Sequence, residues 1–250
     1  MMSKQFIPFI MAGHPSMDAT RQAILALSAA GADLIELGVP FSDPVADGTI
    51  NQMAAEIALK QGVNLNEIFA LIQSIRLSGC DTPIILFSYF NPILALGLKT
   101  FVMQAKACGV NGVLVVDLPP EEGETFYGQL RAAKLDVILL ISPTTNPNRF
   151  IHYHRIDPTF IYYISRCSVT GVQERLSTQL AAEIQALRTH FPQKKIVVGF
   201  GISTIEQAQA VAQLADGVVV GSLLVNTLQT EGLEALKRLS KKFAQTIHES

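Results

Sequence analysis

The chain has 250 residues, enough for one α/β barrel or for two small domains. Hydrophobic residues make up 49% and charged residues 16%, which supplies a large core, and the net charge of −2 leaves no electrostatic footprint for nucleic acid. No apolar run approaches the roughly 20 residues of a membrane helix, the start shows no signal-peptide core, and Cys80, Cys108 and Cys167 lack metal-ligand spacing, so a soluble protein of the reducing cytoplasm is expected.

Residues 1–5 lead straight into a strand-like run at 6–10, and further such runs follow at 33–37, 84–89, 112–116, 136–141, 160–164, 196–200 and 217–220. Most are continuously apolar, as parallel strands covered on both faces should be. Helix-like segments lie between them: 17–30, closed by Gly31, then 52–60, 65–78, 98–108, 123–133, 148–153, 178–190, 205–212 and 232–247. Eight β units, each followed by helix, predict an α/β fold of the (β/α)8 barrel type rather than a doubly wound sheet. No linker or composition shift divides residues 1–250, so one domain is expected. In such a barrel the chemistry sits on the loops after the strands. Glu36, Asp47, Tyr89, Asn91, Asp117, Ser165, Thr170, Gly201, Gly221 and Ser222 all fall there.

Residues 36–48 (ELGVPFSDPVADG) are the most informative stretch. Glu36 ends an apolar strand, where a carboxylate is costly without a task or a partner. Asp47 closes a turn-rich loop. The pair suggests one fixed acid/base and a second acid carried by a loop, against the plainer reading of an ion pair and a loop-capping Asp.

The other end of the site is glycine-rich. GFGIS at 199–203 and Gly221-Ser222 each end a strand just before a helix, where backbone N–H groups and helix dipoles favour an anion. Loops after strands 7 and 8 are the usual phosphate site of this fold, with Gly171 as a further N–H donor. Tight strand–helix packing would also explain any one of these glycines. Together they point to a phosphorylated small molecule.

These motifs resemble the tryptophan synthase alpha subunit family. Besides residues 36–48, the likeness rests on FIPFIMAG at 6–13, SYFNPIL at 88–94, DLPPEE at 117–122, SPTT at 142–145, SRCSVTG at 165–171 and GFGIS at 199–203, all in family order. The resemblance implies cleavage of indole-3-glycerol phosphate to indole and glyceraldehyde 3-phosphate. It places the general acid/base at Glu36 and, at Asp47, the anion that stabilises charge on the indole N–H. It also implies that Phe9, Phe87 and Tyr89 line the indole pocket, with Tyr162 nearer the propyl phosphate. Thr170 would close over the site onto Asp47. Phe200 would join the substrate-binding residues, and Gly171, Gly201, Gly221 and Ser222 would hold the phosphate. Glu36 should then have a raised pKa and Asp47 should stay ionised. The implied partner is a beta subunit that carries pyridoxal phosphate, in an α2β2 assembly, with no cofactor or metal in this chain. Asp43 and Asn91 would serve contact or signalling.

The chain departs from the family pattern in places. The short helix before strand 1 is expected to be missing, Thr49 stands where proline is usual, Ser168 replaces a glycine, and His14 follows Gly13. His152 and His154 face apart at i and i+2 and are not read as metal ligands. Two rival functions share the fold: an isomerase of a phosphorylated sugar, and a non-catalytic chain that activates a beta subunit. The apolar pocket disfavours the first, and retention of both acids disfavours the second.

Overall fold

The computed structural model describes residues 4–164, 173–199 and 201–250, with only the backbone at 173–178. Its strands are β1 (Gln5–Met11), β2 (Ile35–Gly38), β3 (Ile84–Ser88), β4 (Gly112–Val115), β5 (Asp136–Ile141), β6 (Phe160–Ile164), β7 (Lys195–Gly199) and β8 (Gly217–Val220). They pair in parallel, each with the next in sequence, and β8 returns to β1, which closes a barrel. The helices are α1 (Met17–Ala29), α2 (Thr49–Lys60), α3 (Leu65–Leu77), α4 (Phe90–Leu96), α5 (Leu98–Cys108), α6 (Pro120–Ala132), α7 (Phe150–Ile156), α8 (Gln173–His190), α9 (Ile205–Leu214), α10 (Ser222–Thr230) and α11 (Leu233–His248). This is the (β/α)8, or TIM, barrel that the alternation predicts.

Strand alternation splits the apolar residues into two cores. Ile7, Phe9, Ile85, Phe87, Leu114, Ile138, Phe160, Tyr162, Val197 and Val219 pack together in the barrel interior. Their strand neighbours, such as Phe6, Ile10, Ile35, Leu37, Leu86, Ile161 and Val198, form the mantle under the helices. Glu36 lies between mantle residues Ile35 and Leu37 on β2 and opposite Phe9 on β1, so the period of two turns its carboxyl inward.

The two ends of the barrel use polar residues differently. At the start of the strands, side chains cap orphan strand N–H groups. Asp33 accepts from Phe6 N at 2.7 Å, Asn111 from Ile84 N at 2.9 Å and Asp216 from Ile196 N at 2.8 Å. These hold the scaffold together. The other end carries the candidate site.

β1 is the first element among the described residues. One helix, α4, was not expected, and α10 was expected after Gly221-Ser222 only without bounds. In α4 a proline, Pro92, sits in the first turn, where its missing N–H has no intrahelical partner to lose. In α10 the cap is Gly221 with no side-chain cap, so no N-cap signal separates the helix from the valines of β8. Thr49 is the first residue of α2, so the helix starts without the usual proline.

Candidate functional site

Where the strands end, a cleft of about 410 Å³ opens into the barrel. Its described lining comprises Phe9, Glu36, Asp47, Gly48, Ile50, Asn51, Phe87, Tyr162, Gly201, Ile202, Ser203, Val219, Gly221, Ser222, Leu223 and Asn226. The floor is aromatic. Phe9 meets Phe87 edge-on at 5.4 Å between ring centroids. Two glycines make room for these rings: a Cβ at Gly38 would stand 2.7 Å from Phe9 Cζ, and one at Gly199 would fall on the Tyr162 hydroxyl. An apolar slot with few polar groups suits a flat aromatic ligand.

Glu36 is the outstanding polar group of this floor. It is 1% exposed, and neither carboxyl oxygen has a hydrogen-bond partner among the described residues. Burial raises its pKa from 4.5 to about 8. At neutral pH the side chain is therefore a carboxylic acid ready to donate a proton. Its proximity is also felt by Tyr162, whose hydroxyl is pushed well above its usual pKa by burial and then by Glu36.

Asp47 faces the same cleft from the loop before α2. Its Oδ2 accepts a hydrogen bond from the Tyr89 hydroxyl at 2.9 Å. Burial raises its pKa, while hydrogen bonds from Tyr89 and from the Asn51 side chain oppose that rise. The two acids are thus not tuned in opposite directions. Both are shifted upward, but among the described residues Glu36 has no donor to hold its charged form and Asp47 has two.

The far wall has another chemistry. No cationic side chain lines the cleft among the described residues. Behind β7 the orphan donors are already occupied: Gln207 Oε1 accepts from Ser203 N at 2.8 Å and Thr204 N at 3.2 Å, and Thr204 caps α9. At α10 no described side chain caps the helix, and its cap Gly221 and first residue Ser222 lie on the cleft. The open helix start beside Gly201 is the place suited to an anion.

The expected site residues therefore sort as follows. Phe9, Glu36, Asp47, Phe87, Tyr162, Gly201, Gly221 and Ser222 meet at one cleft. Tyr89 stands behind Asp47 rather than on the wall. Thr170, Gly171 and Phe200 lie outside the described residues. Asp117 caps α4, accepting from Phe90 N at 2.7 Å. The buried His14 sits away from the cleft, where burial lowers its pKa. His152 and His154 belong to no metal-ligating cluster among the described residues. Sequence reasoning missed Asn51 and Asn226, which line the cleft from α2 and α10. A polar residue one turn inside each helix start was the available signal.

The comparisons agree with this geometry. The model of the family described as tryptophan synthase alpha chain matches residues 2–249. Among curated relatives, the tryptophan synthase alpha chain of Pelobacter propionicus is 42% identical over 99% of this chain and 92% of its own length. That of Synechococcus elongatus is 45% identical over 96% of this chain and 90% of its own. A crystal structure of tryptophan synthase subunit alpha from Legionella pneumophila superposes with a TM-score of 0.91 at 33% identity, covering 99% of this chain and 94% of that one. No helix among the described residues is long and apolar enough to cross a membrane. The chain belongs to the tryptophan synthase alpha chain family.

Proposed function

We propose that Glu36 and Asp47 divide between them the chemistry of this chain's lyase reaction. The reaction is that of the family: retro-aldol cleavage of indole-3-glycerol phosphate to indole and glyceraldehyde 3-phosphate, the indole passing to a beta chain for tryptophan synthesis. Glu36 gives its proton to indole C3, which turns that carbon into a leaving centre. The resulting carboxylate takes the proton of the side-chain hydroxyl as the C–C bond breaks and the aldehyde forms, which restores the acid. While C3 is protonated, positive charge resides at the ring N–H, and ionised Asp47 stabilises it in a site of low dielectric. Phe9 and Phe87 hold the ring, and Tyr162 stands between ring and phosphate. The phosphate is bound by N–H groups and hydroxyls at Gly201, Gly221 and Ser222, together with Gly171. Thr170, Gly171 and Phe200 lie outside the described residues, and their part in binding rests on the family resemblance alone.

One observation carries this reading: a buried carboxyl with no hydrogen-bond partner among the described residues, its pKa raised to about 8, on the wall of an aromatic cleft. Such a group is expensive unless its protonated form is used. The partner is a tryptophan synthase beta chain, and we infer an α2β2 assembly with pyridoxal phosphate held by beta alone. Exposed apolar side chains near Asp43 and Asn91, Val45 at 86% and Leu94 at 49%, support a contact there. We infer a single domain over residues 1–250 and a cytoplasmic setting. The test is indole release from indole-3-glycerol phosphate, with and without a beta chain. Release by the parent and its loss in Glu36→Gln are expected; unchanged release by that variant would remove Glu36 from the chemistry.

A further inference from the structure

We propose that Asn51 is a positioning residue for Asp47, holding its carboxylate toward the cleft by an amide hydrogen bond; this rests on the role of Asp47 given above. Asn51 lies in the first turn of α2, four residues after Asp47, and both side chains line the cleft. The helix start thus brings the amide back onto the acid that precedes it. A carboxylate only accepts hydrogen bonds, so the end of the amide that meets Asp47 must be its NH2 group. The other end agrees: Asn51 Oδ1 is buried with no hydrogen-bond partner among the described residues.

A buried acceptor left unpaired is uncommon and calls for a donor. The described residues supply none, and the substrate brings several: the ring N–H and the glycerol hydroxyls. Asn51 therefore has two tasks, a donor to the carboxylate and an acceptor for the bound molecule beside it. The neighbouring Gln52 acts on the backbone instead, donating from Nε2 to Asp47 O at 2.8 Å. Around Asp47 the titratable groups are Tyr89 from the end of β3, Glu36 from β2 and Tyr162 from β6, with Asp117 acting on Tyr89. Among the described residues none is a cation, and the hydrogen bonds that favour the charged form of Asp47 come from the neutral side chains of Tyr89 and Asn51, so losing one should be visible in its titration.

The experiment measures kcat and KM for indole release across pH with the full chain, alone and with a beta chain. Asn51→Leu is expected to lower kcat by about tenfold, raise KM, and move the acid limb of kcat/KM up by about one pH unit, the equivalent of one lost charge-assisted hydrogen bond. Asn51→Asp, which replaces the donor with a second carboxylate, should move that limb further. Asn51→Gln, which keeps the amide, should restore part of the loss. A folded Asn51→Leu protein with the parental acid limb would overturn the assignment of Asn51 and leave the lyase reading standing. A parent chain that releases no indole would overturn that reading itself.

Discussion

The Tyr89 hydroxyl donates to Asp47 Oδ2 at 2.9 Å and accepts the Ala46 N–H at 3.0 Å. One phenol thereby fixes both the carboxylate and the backbone of the loop that carries it. The Tyr89 ring is itself held, packed on Phe41 at 5.1 Å between centroids. Burial and the Asp47 charge push the phenol well above its usual pKa, so it remains a donor at every working pH. This geometry makes Tyr89 a support for the second acid, two residues beyond Phe87 of the ring-binding floor.

Tyr89→Phe keeps the ring and the Phe41 contact but deletes both hydrogen bonds. Hydrogen bonds to charged groups contribute about 1.5–3 kcal/mol, so kcat should fall roughly 10- to 100-fold. KM for indole-3-glycerol phosphate should change little, because the phenol does not line the cleft. Steady-state kinetics check this. A variant with a large KM effect and normal kcat would return Tyr89 to the substrate pocket.

The pH dependence of kcat/KM should be bell-shaped. Glu36 must be protonated to donate to C3, so activity should fall as pH rises past about 8. Asp47 must be ionised, so activity should also fall on the acid side, through a pKa that burial holds above the usual carboxylate value. Glu36→Gln, which cannot exchange a proton, should lose about 10²–10⁴-fold in kcat. An alkaline limb unchanged by a substitution that perturbs Glu36's burial, such as Phe9→Leu, would separate that limb from Glu36.

Much of this was readable from residue order. Strands buried on both faces appear as unbroken apolar runs, so β3, β5 and β6 were visible within a residue or so, and Glu36 stood out because it interrupts one. The glycines of the cleft followed from their places at strand ends, and its aromatic residues from the family resemblance. The rest depended on contacts between distant segments. The resemblance implied Tyr89 on the cleft wall, yet its direction is set by a loop 42 residues away in sequence. Asn51 was missed because the helix was expected to begin at 52, whereas α2 begins at Thr49 and turns Asn51 onto Asp47. The joint upward shift of both acids was hidden for the same reason: burial of Asp47 comes from packing that no local pattern encodes.

Glu36 should also make the fold sensitive to alkali. Its folded-state pKa of about 8 exceeds the ordinary value of 4.5. Between those limits the folded chain keeps a proton that the unfolded chain has released. The stabilising contribution is complete below about pH 4.5 and is lost as pH rises toward 8, at about 1.4 kcal/mol per unit. Glu36→Gln removes this slope. Urea unfolding at pH 5 and pH 8.5 should show the parent losing a few kcal/mol more than the variant over that interval. Parallel losses in the two proteins would mean that the carboxyl is better solvated than its burial indicates.

The interior leaves no slack where Tyr162 crosses β7. A Cβ at Gly199 would fall on the Tyr162 hydroxyl, with the ring's Cζ at 2.6 Å. Tyr162 is itself buried, only 3% exposed, so Gly199→Ala must push the ring into the cleft or force the strand outward. Overpacking of this kind costs about 1–3 kcal/mol. The displaced ring should also raise KM, because Tyr162 lines the cleft on the side of Glu36. Combining Gly199→Ala with Tyr162→Phe removes the nearest clashing atom. The double variant should recover part of the lost stability, so the two effects will not add. Thermal unfolding of the two single variants and the double variant gives the coupling directly. Strict additivity would show that the ring has room to move aside, and that Gly199 is not required for the shape of the site.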